Sequence, residues 1–394
     1  MQERVTRLQP SERSKQVGLS GIREIFEKAQ TIPDVIRLEF GEPDFDTPEN
    51  IKSAAIKAIN SGKTKYTSSA GLPELRSAIS AKLSRENGVD YNPKSEVVVT
   101  AGATSALNLA LLSAVDAGDE VLIPDPGWAT YSHAVQVVGA KPVPYPLKES
   151  NDYAFERNTA EKLVTPKTRA ILICTPSNPT GAILPRSNIK EISEFAIERN
   201  LFVLSDEVYE KFLYRDGSND RVEHVSIASL PEMKDRTVTI NAFSKTYAMT
   251  GWRLGYAAAP EALSTAMTKI NATQASCVSS ISQYAALEAL TGPQDSVSRM
   301  ISAFAKRREV LVAGIDELPG FFCPMPKGAF YAFPNISGTE INSHSLAMKI
   351  VEDAHVAVVP GSAFGSQGEN HLRLAYANSL ENIEEALRRI RRIL

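Results

Sequence analysis

Between about residues 95 and 260, short runs of β-branched and aliphatic residues alternate with segments of helical periodicity. "EVVVT" precedes "SALNLALLSAV", and "DEVLIPDP", "AILICTP", "IKEISEFAIERN", "LFVLSDE", "TVTINAF" and "GYAAAP" follow. Continuous apolar runs bounded by Pro, Gly or Asp are the pattern of strands buried on both faces, and their alternation with helices points to a mostly parallel sheet. This stretch alone commits a large part of the chain to one α/β core.

The flanks differ. Residues 296–316 have a long helical period, and "KGAFYAFPNIS", "HVAVVPGSAFG" and "NHLRLAYA" have the character of strands. The last segment, "LENIEEALRRIRRIL", spaces apolar residues at 380, 383, 387, 390 and 394 as an amphipathic helix does, with its arginines expected to face solvent near the negative end of the helix dipole. A chain of 394 residues exceeds what one core usually holds. The expected architecture is a large domain over residues 46–290, with a mostly parallel central sheet flanked by helices. A smaller α+β domain would be built from the N-terminal segment, residues 1–45, and from residues 291–394.

Several function classes are disfavoured. A net charge of -3 gives no footprint for nucleic acid or a membrane surface. Cys174, Cys277 and Cys323 are odd in number and widely spaced, which points to a reducing compartment rather than a disulfide or zinc framework. The charged start "MQERVTRLQPSERSK" has no apolar signal-like run, so a cytoplasmic location is expected. Gly62-Lys63-Thr64 lacks the upstream glycine of a phosphate loop and is expected at a helix end. No strand is followed by GxGxxG, no GxSxG is present, and the five histidines have no metal-ligand spacing.

In parallel sheets the functional loops lie at the carboxyl ends of the strands. "TPSNPTG", "SDEVYE" and "NAFSK" fall there, and "TAGATSAL" opens a helix whose free N–H groups suit an anion. Lys245, set between Ser244 and Thr246, is an amine able to attack a carbonyl if burial lowers its pKa. Asp206, at a strand mouth, is placed to pair with a protonated heterocyclic nitrogen. Asn178 and Tyr209 are donors for a phenolate-like oxygen, and Trp128 offers a flat face for a ring. Ser244, Arg253 and the helix opening at residues 102–104 make a phosphate seat. Pyridoxal phosphate carries all of these groups.

Seven motifs in order, "EFGEPDFDTPENI", "KYTSSAGLPELR", "PSNPTGA", "SDEVYE", "FSKTYAMTGWRLGY", "PKGAFY" and "HLRLAYA", give the chain a strong resemblance, from about residue 18 to its end, to the class I/II aminotransferases of the fold-type-I pyridoxal phosphate superfamily. The likeness is greatest to the prokaryotic aspartate and aromatic branch. It implies that Lys245 binds the cofactor's aldehyde, Asp206 its ring nitrogen, Asn178 and Tyr209 its ring oxygen, and that Trp128 stacks on the ring. Arg253, Ser244, Ala103 and Thr104 would hold the phosphate. Arg373 would clamp the substrate α-carboxylate, helped by Asn178 and the backbone of Gly41. Tyr66 would reach a neighbouring subunit's phosphate, implying a homodimer with shared sites. Ala242 departs from the family pattern, in which several members carry serine three residues before the lysine.

The resemblance implies transamination in two half-reactions with ping-pong kinetics, Lys245 moving the proton from Cα. Another reaction on the same cofactor, such as a β-lyase or a decarboxylase, is the nearest rival. A ligand-binding regulator is the rival of a different class, but no helix-turn-helix module fits before "SGIREIFEKA". Aspartate with 2-oxoglutarate as acceptor is the favoured pair. The related aspartate enzymes, however, carry a lysine where this chain has Thr104, and aromatic amino acids, in a pocket lined near Ile22, are the alternative.

Overall fold

The computed structural model describes residues 9–11, 14–15, 18, 21–215 and 222–394. After β1 (Ile36–Arg37) come seven strands that form the central sheet. These are β2 (Val97–Thr100), β3 (Glu120–Asp125), β4 (Lys141–Pro146), β5 (Thr168–Cys174), β6 (Phe202–Asp206), β7 (Thr237–Ala242) and β8 (Gly255–Ala258). Their spatial order is β2-β8-β7-β6-β5-β3-β4, with parallel pairing from β7 through to β4 and β8 antiparallel to both neighbours. The link from β7 to β8 holds only a short helical turn, Phe243–Thr246, and a second turn, so the chain returns antiparallel instead of crossing over. The mostly parallel sheet expected from the sequence is therefore present, flanked by helices such as Ala103–Ala114 and Arg186–Glu198.

Alternate residues of each strand feed different core clusters, as the pleat requires. Leu172 and Leu204 pack with Leu107 and Val121 on one face, while Ile171, Ile173 and Val203 pack with Ile189 and Phe195 on the other. Each such side chain, fully buried, contributes roughly 1.5–3 kcal/mol. Strand β4, "KPVPYP", escapes the sequence pattern because three prolines interrupt it. It survives as an edge strand, where a missing ladder N–H is tolerated.

Outside the central sheet, β1 pairs in parallel with β10 (Val356–Ala357). A second small sheet joins β9 (Tyr331–Ala332), β11 (Val359–Pro360) and β12 (Leu372–Ala375) in the order β11-β12-β9. The stretch around residues 327–337 is thus mostly irregular, with a shorter strand than its apolar pattern implies. The helix Asp295–Asp316 packs on the terminal helix Leu380–Ile393, where Leu387 lies so close to Gly314 that a Cβ there would meet Leu387 Cδ1 at 2.3 Å. Arg388, Arg391 and Arg392 face solvent as expected. Arg389 does not: it is partly buried, bonding Glu385 and the Asp34 carbonyl. The helix Glu49–Asn60 ends ahead of Gly62 in the left-handed region (φ +68), so Gly62-Lys63-Thr64 is a helix end. Among the described residues no helix is long and apolar enough to cross a membrane.

Candidate active site

The registers Cys174↔Asp206 and Asp206↔Ile240 bring the carboxyl ends of β5, β6 and β7 to one edge of the sheet. That edge, with the opening of the helix Ala103–Ala114 and the segment following β1, encloses a cavity of about 360 Å³. Gly41, Ala103, Thr104, Trp128, Asn178, Asp206, Tyr209, Ser244, Lys245, Arg253 and Arg373 all line it. Eleven of the twelve residues singled out in the sequence therefore converge. Tyr66 does not: it stands apart from the cavity, 87% exposed. The side chain of Ile22 lies outside the described residues.

Asp206 closes β6 with 6% of its surface exposed. Its Oδ2 accepts from the Tyr131 hydroxyl at 2.7 Å and its Oδ1 from the Val208 N–H at 3.3 Å. Burial nevertheless pushes its carboxyl up to about 6. Lys245 sits in the short helical turn after β7 and donates to the Gly41 carbonyl. Burial pushes its ammonium down to about 8; the Glu42 carboxylate opposes this, and the charges of Arg373 and Arg253 add to it. Tyr209 is buried, its phenol held far above the ordinary range first by desolvation and then by Tyr331, so it remains a neutral donor. Its hydroxyl lies 2.7 Å from that of Tyr331.

Arg373, only 3% exposed, projects from β12. Its Nη1 donates to Asn178 Oδ1 at 3.0 Å and its Nη2 to the Glu39 carbonyl, while buried Nε has no partner. Its guanidinium lies over the Tyr331 ring, 4.6 Å from the centroid. Asn178, by accepting from Arg373 through Oδ1, keeps its amide N–H groups for another acceptor.

At the other end of the cavity the helix Ala103–Ala114 makes its first bond from Ala106 N–H to the Gly102 carbonyl, so the N–H groups before Ala106 are not used inside the helix. Gly102 is in the left-handed region (φ +84), and a Cβ there would come within 2.8 Å of Arg253 Nη2. Gly255 is also required, since its Cβ would meet Gly102 C at 2.7 Å and Ala103 N at 2.8 Å. Trp128 forms the cavity wall, edge-on to Tyr131 with ring centroids 5.5 Å apart.

Sequence reasoning did not single out Tyr131, Tyr331, Phe40 or Glu42, all of which line the cavity. Tyr131 follows Trp128 by three residues at a helix start, a spacing that puts both on one side and is the one signal available.

The sequence pattern of the family described as "Aminotransferase class I and II" matches residues 33–390. An aromatic-amino-acid aminotransferase 2 of Thermococcus litoralis is 43% identical over 98% of both chains. An aspartate aminotransferase of Pyrococcus abyssi is also 43% identical over 98% of both. Among solved structures, the aspartate aminotransferase from Thermus thermophilus with maleate superposes with a TM-score of 0.92 at 35% identity, covering 98% of this chain and 100% of that one.

Proposed function

Because the chain belongs to the class I and II aminotransferases, we propose that its Lys245 cavity holds pyridoxal phosphate and moves an amino group between an L-amino acid and a 2-oxo acid. The observation that carries this reading is one buried amine with a lowered pKa facing a buried carboxylate, an arginine and a helix N-terminus inside a single cavity.

The residues present fit the cofactor. The phosphate would take the unused N–H groups around Ala103 and Thr104, the Ser244 hydroxyl and the Arg253 guanidinium, in a cradle that a Cβ at Gly102 would fill. Asp206 would hold the ring nitrogen protonated, Tyr209 and Asn178 would donate to the ring oxygen, and Trp128 would cover a ring face. When bound, the cofactor supplies an aldehyde for the amino group and a ring that takes up electron density.

The chain's own groups do the rest. Arg373 binds the substrate α-carboxylate and fixes the orientation of Cα. Lys245 Nζ, a substantial fraction of it neutral near pH 8, would take the proton from Cα and deliver it to the carbon of the cofactor's aldehyde within the same half-reaction, and would carry a proton the opposite way in the second. Buried Tyr331, 4.6 Å from the Arg373 guanidinium at its ring centroid and bonded to Tyr209, steadies that side chain. Two half-reactions that share one site give ping-pong kinetics. Tyr66, exposed and outside its own cavity, supports a homodimer in which it reaches the partner's phosphate seat.

Two donor classes remain. Aspartate, with 2-oxoglutarate as acceptor, follows the aspartate relatives and needs a further cation for its distal carboxylate. Among the described residues lining the cavity the cations are Lys245, Arg253 and Arg373, all with other duties, and that further cation would come from a partner subunit. The aromatic alternative is favoured by Phe40, 40% exposed where it lines the cavity and fixed edge-on to Phe26. The test is the visible spectrum of the purified, cofactor-loaded protein on adding L-aspartate or L-phenylalanine without oxo acid. Loss of the yellow band with one donor, and formation of its oxo acid, identifies the reaction and the class. A protein that takes up no cofactor refutes the reading.

A further inference from the structure

The segment that presents Asp206 and Tyr209 to the cavity also carries Glu207 and Glu210, which line no part of it. Both are buried, Glu207 completely. Glu207 Oε1 accepts from Ser205 Oγ at 2.9 Å and Ser226 Oγ at 2.8 Å, and Oε2 from Asn87 Nδ2 at 3.0 Å and His224 Nε2 at 3.0 Å. Glu210 accepts from the Lys82 ammonium, from Asn241 Nδ2 at 2.8 Å and from Asn87 Nδ2 at 2.8 Å. Glu207, Glu210 and His224 are close enough together to resemble a metal site. Lys82, already bonded to Glu210, supplies the cation such a group of carboxylates needs, so no metal is required.

Two carboxylates facing one ammonium leave an excess negative charge that, among the described residues, a protonated His224 cancels. The carboxylate this concerns, Glu207, is the immediate chain neighbour of Asp206, and both lie in low-dielectric surroundings where charges act over several ångströms. We propose that the buried Glu207–His224 pair sets the proton affinity of Asp206 from behind the sheet edge, making both residues positioning groups for the ring-nitrogen site. With His224 protonated the pair is nearly neutral and Asp206 gives up its proton more readily. With His224 neutral the Glu207 charge loses its adjacent imidazolium and Asp206 holds its proton more tightly.

The electrostatics agree with this geometry. Burial works most strongly, against the imidazolium, but the Glu207 carboxylate, with Glu210 behind it, outweighs it and holds His224 above the usual imidazole range. Glu207 is in turn among the charges that raise the Asp206 carboxyl, behind burial itself. The other charged groups facing His224 are Glu210 and Lys82, with Glu86, Lys211, Arg215 and Glu223 around the adjoining surface cavity. Glu86 is paired with Lys211 at 2.8 Å and Glu223 with Arg186 at 3.5 Å. Around Asp206 itself stand Tyr131, Cys174 and Lys245, the first two held neutral by burial.

The consequence for catalysis rests on the cofactor reading above; the effect on Asp206 does not, and the test uses cofactor-free protein. Aspartate side-chain carboxyls are labelled with carbon-13 and titrated by NMR, the Asp206 signal being assigned with Asp206→Asn. The parent midpoint is expected near 6. His224→Gln should move it up by about half a pH unit or more, and Glu207→Gln down by a smaller amount, since that variant also removes the carboxylate that holds His224 protonated. The parent protein, needing no substitution, should also show a second inflection of the Asp206 signal where the His224 ring titrates. Opposite signs are the signature, because mere loosening of the fold would move both variants the same way. Equal midpoints in all three proteins, shifts of one sign, or a parent curve without the inflection would overturn the proposal. In loaded protein the visible band should titrate with the same opposed displacements. Midpoints that shift in a protein that takes up no cofactor would leave this inference standing and remove the cofactor reading.

Discussion

Tyr131 holds Asp206 from within the same chain: its hydroxyl donates to Oδ2 at 2.7 Å, and the phenol is buried to 1% exposure. The carboxylate that would face a ring nitrogen is thus oriented before any ligand arrives, and the Val208 N–H at 3.3 Å steadies its other oxygen. A hydrogen bond to a charged group contributes about 1.5–3 kcal/mol. Tyr131→Phe should therefore weaken cofactor retention about 10- to 100-fold, read from the dissociation constant by absorbance. An unchanged constant would mean that Tyr131 only fills space.

The Lys245 amine is held near 8 by burial, and its reactive neutral form should grow from about a tenth at pH 7 to about nine-tenths at pH 9. The rate of cofactor uptake by the cofactor-free protein should rise through that interval and level off above it. A rate still climbing at pH 10 would place the amine at an ordinary lysine pKa. Lys245→Ala should cost at least about 10³-fold in turnover, measured as oxo-acid formation.

Arg373 presents a planar fork that a lysine cannot copy. Arg373→Lys should raise KM for the amino-acid donor by about 10- to 100-fold, the equivalent of one charge-assisted hydrogen bond, with a smaller loss in kcat. A change confined to kcat would show that the guanidinium acts on the reacting atoms and not on the carboxylate.

Thr104 lines the cavity at the helix opening, so a lysine in its place would bring a further cation to the cavity. Thr104→Lys should raise kcat/KM for L-aspartate relative to L-phenylalanine by about tenfold. No change in that ratio in the variant would indicate that the distal carboxylate lies elsewhere.

Much of this site is legible in the sequence for one physical reason. Asn178, Asp206 and Lys245 follow runs of buried aliphatic residues, and parallel strands deliver their carboxyl ends to one edge. Arg373 is not legible that way. It interrupts the short strand β12, and only the resemblance to a known family gave it a role. Tyr131 and Tyr331 are hidden because a buried tyrosine in an apolar segment has the same local pattern whether or not its hydroxyl serves a site. Glu207 and Glu210 sit in "SDEVYE" with Asp206, and no periodicity tells which acids face the cavity until the strand register is known. β4 was lost to its prolines.

The carbonyls of Glu39 and Gly41, two residues apart on the segment after β1, already accept from Arg373 and Lys245. Two of the site's cations therefore already hold main-chain oxygens, and an incoming group that displaces one of these gains only the difference between the two bonds. Such barter caps how tightly either the donor or the product can be held. An enzyme that must release one oxo acid and admit another through the same opening benefits from that ceiling, since a grip much stronger than the exchange allows would stall it between halves of its cycle.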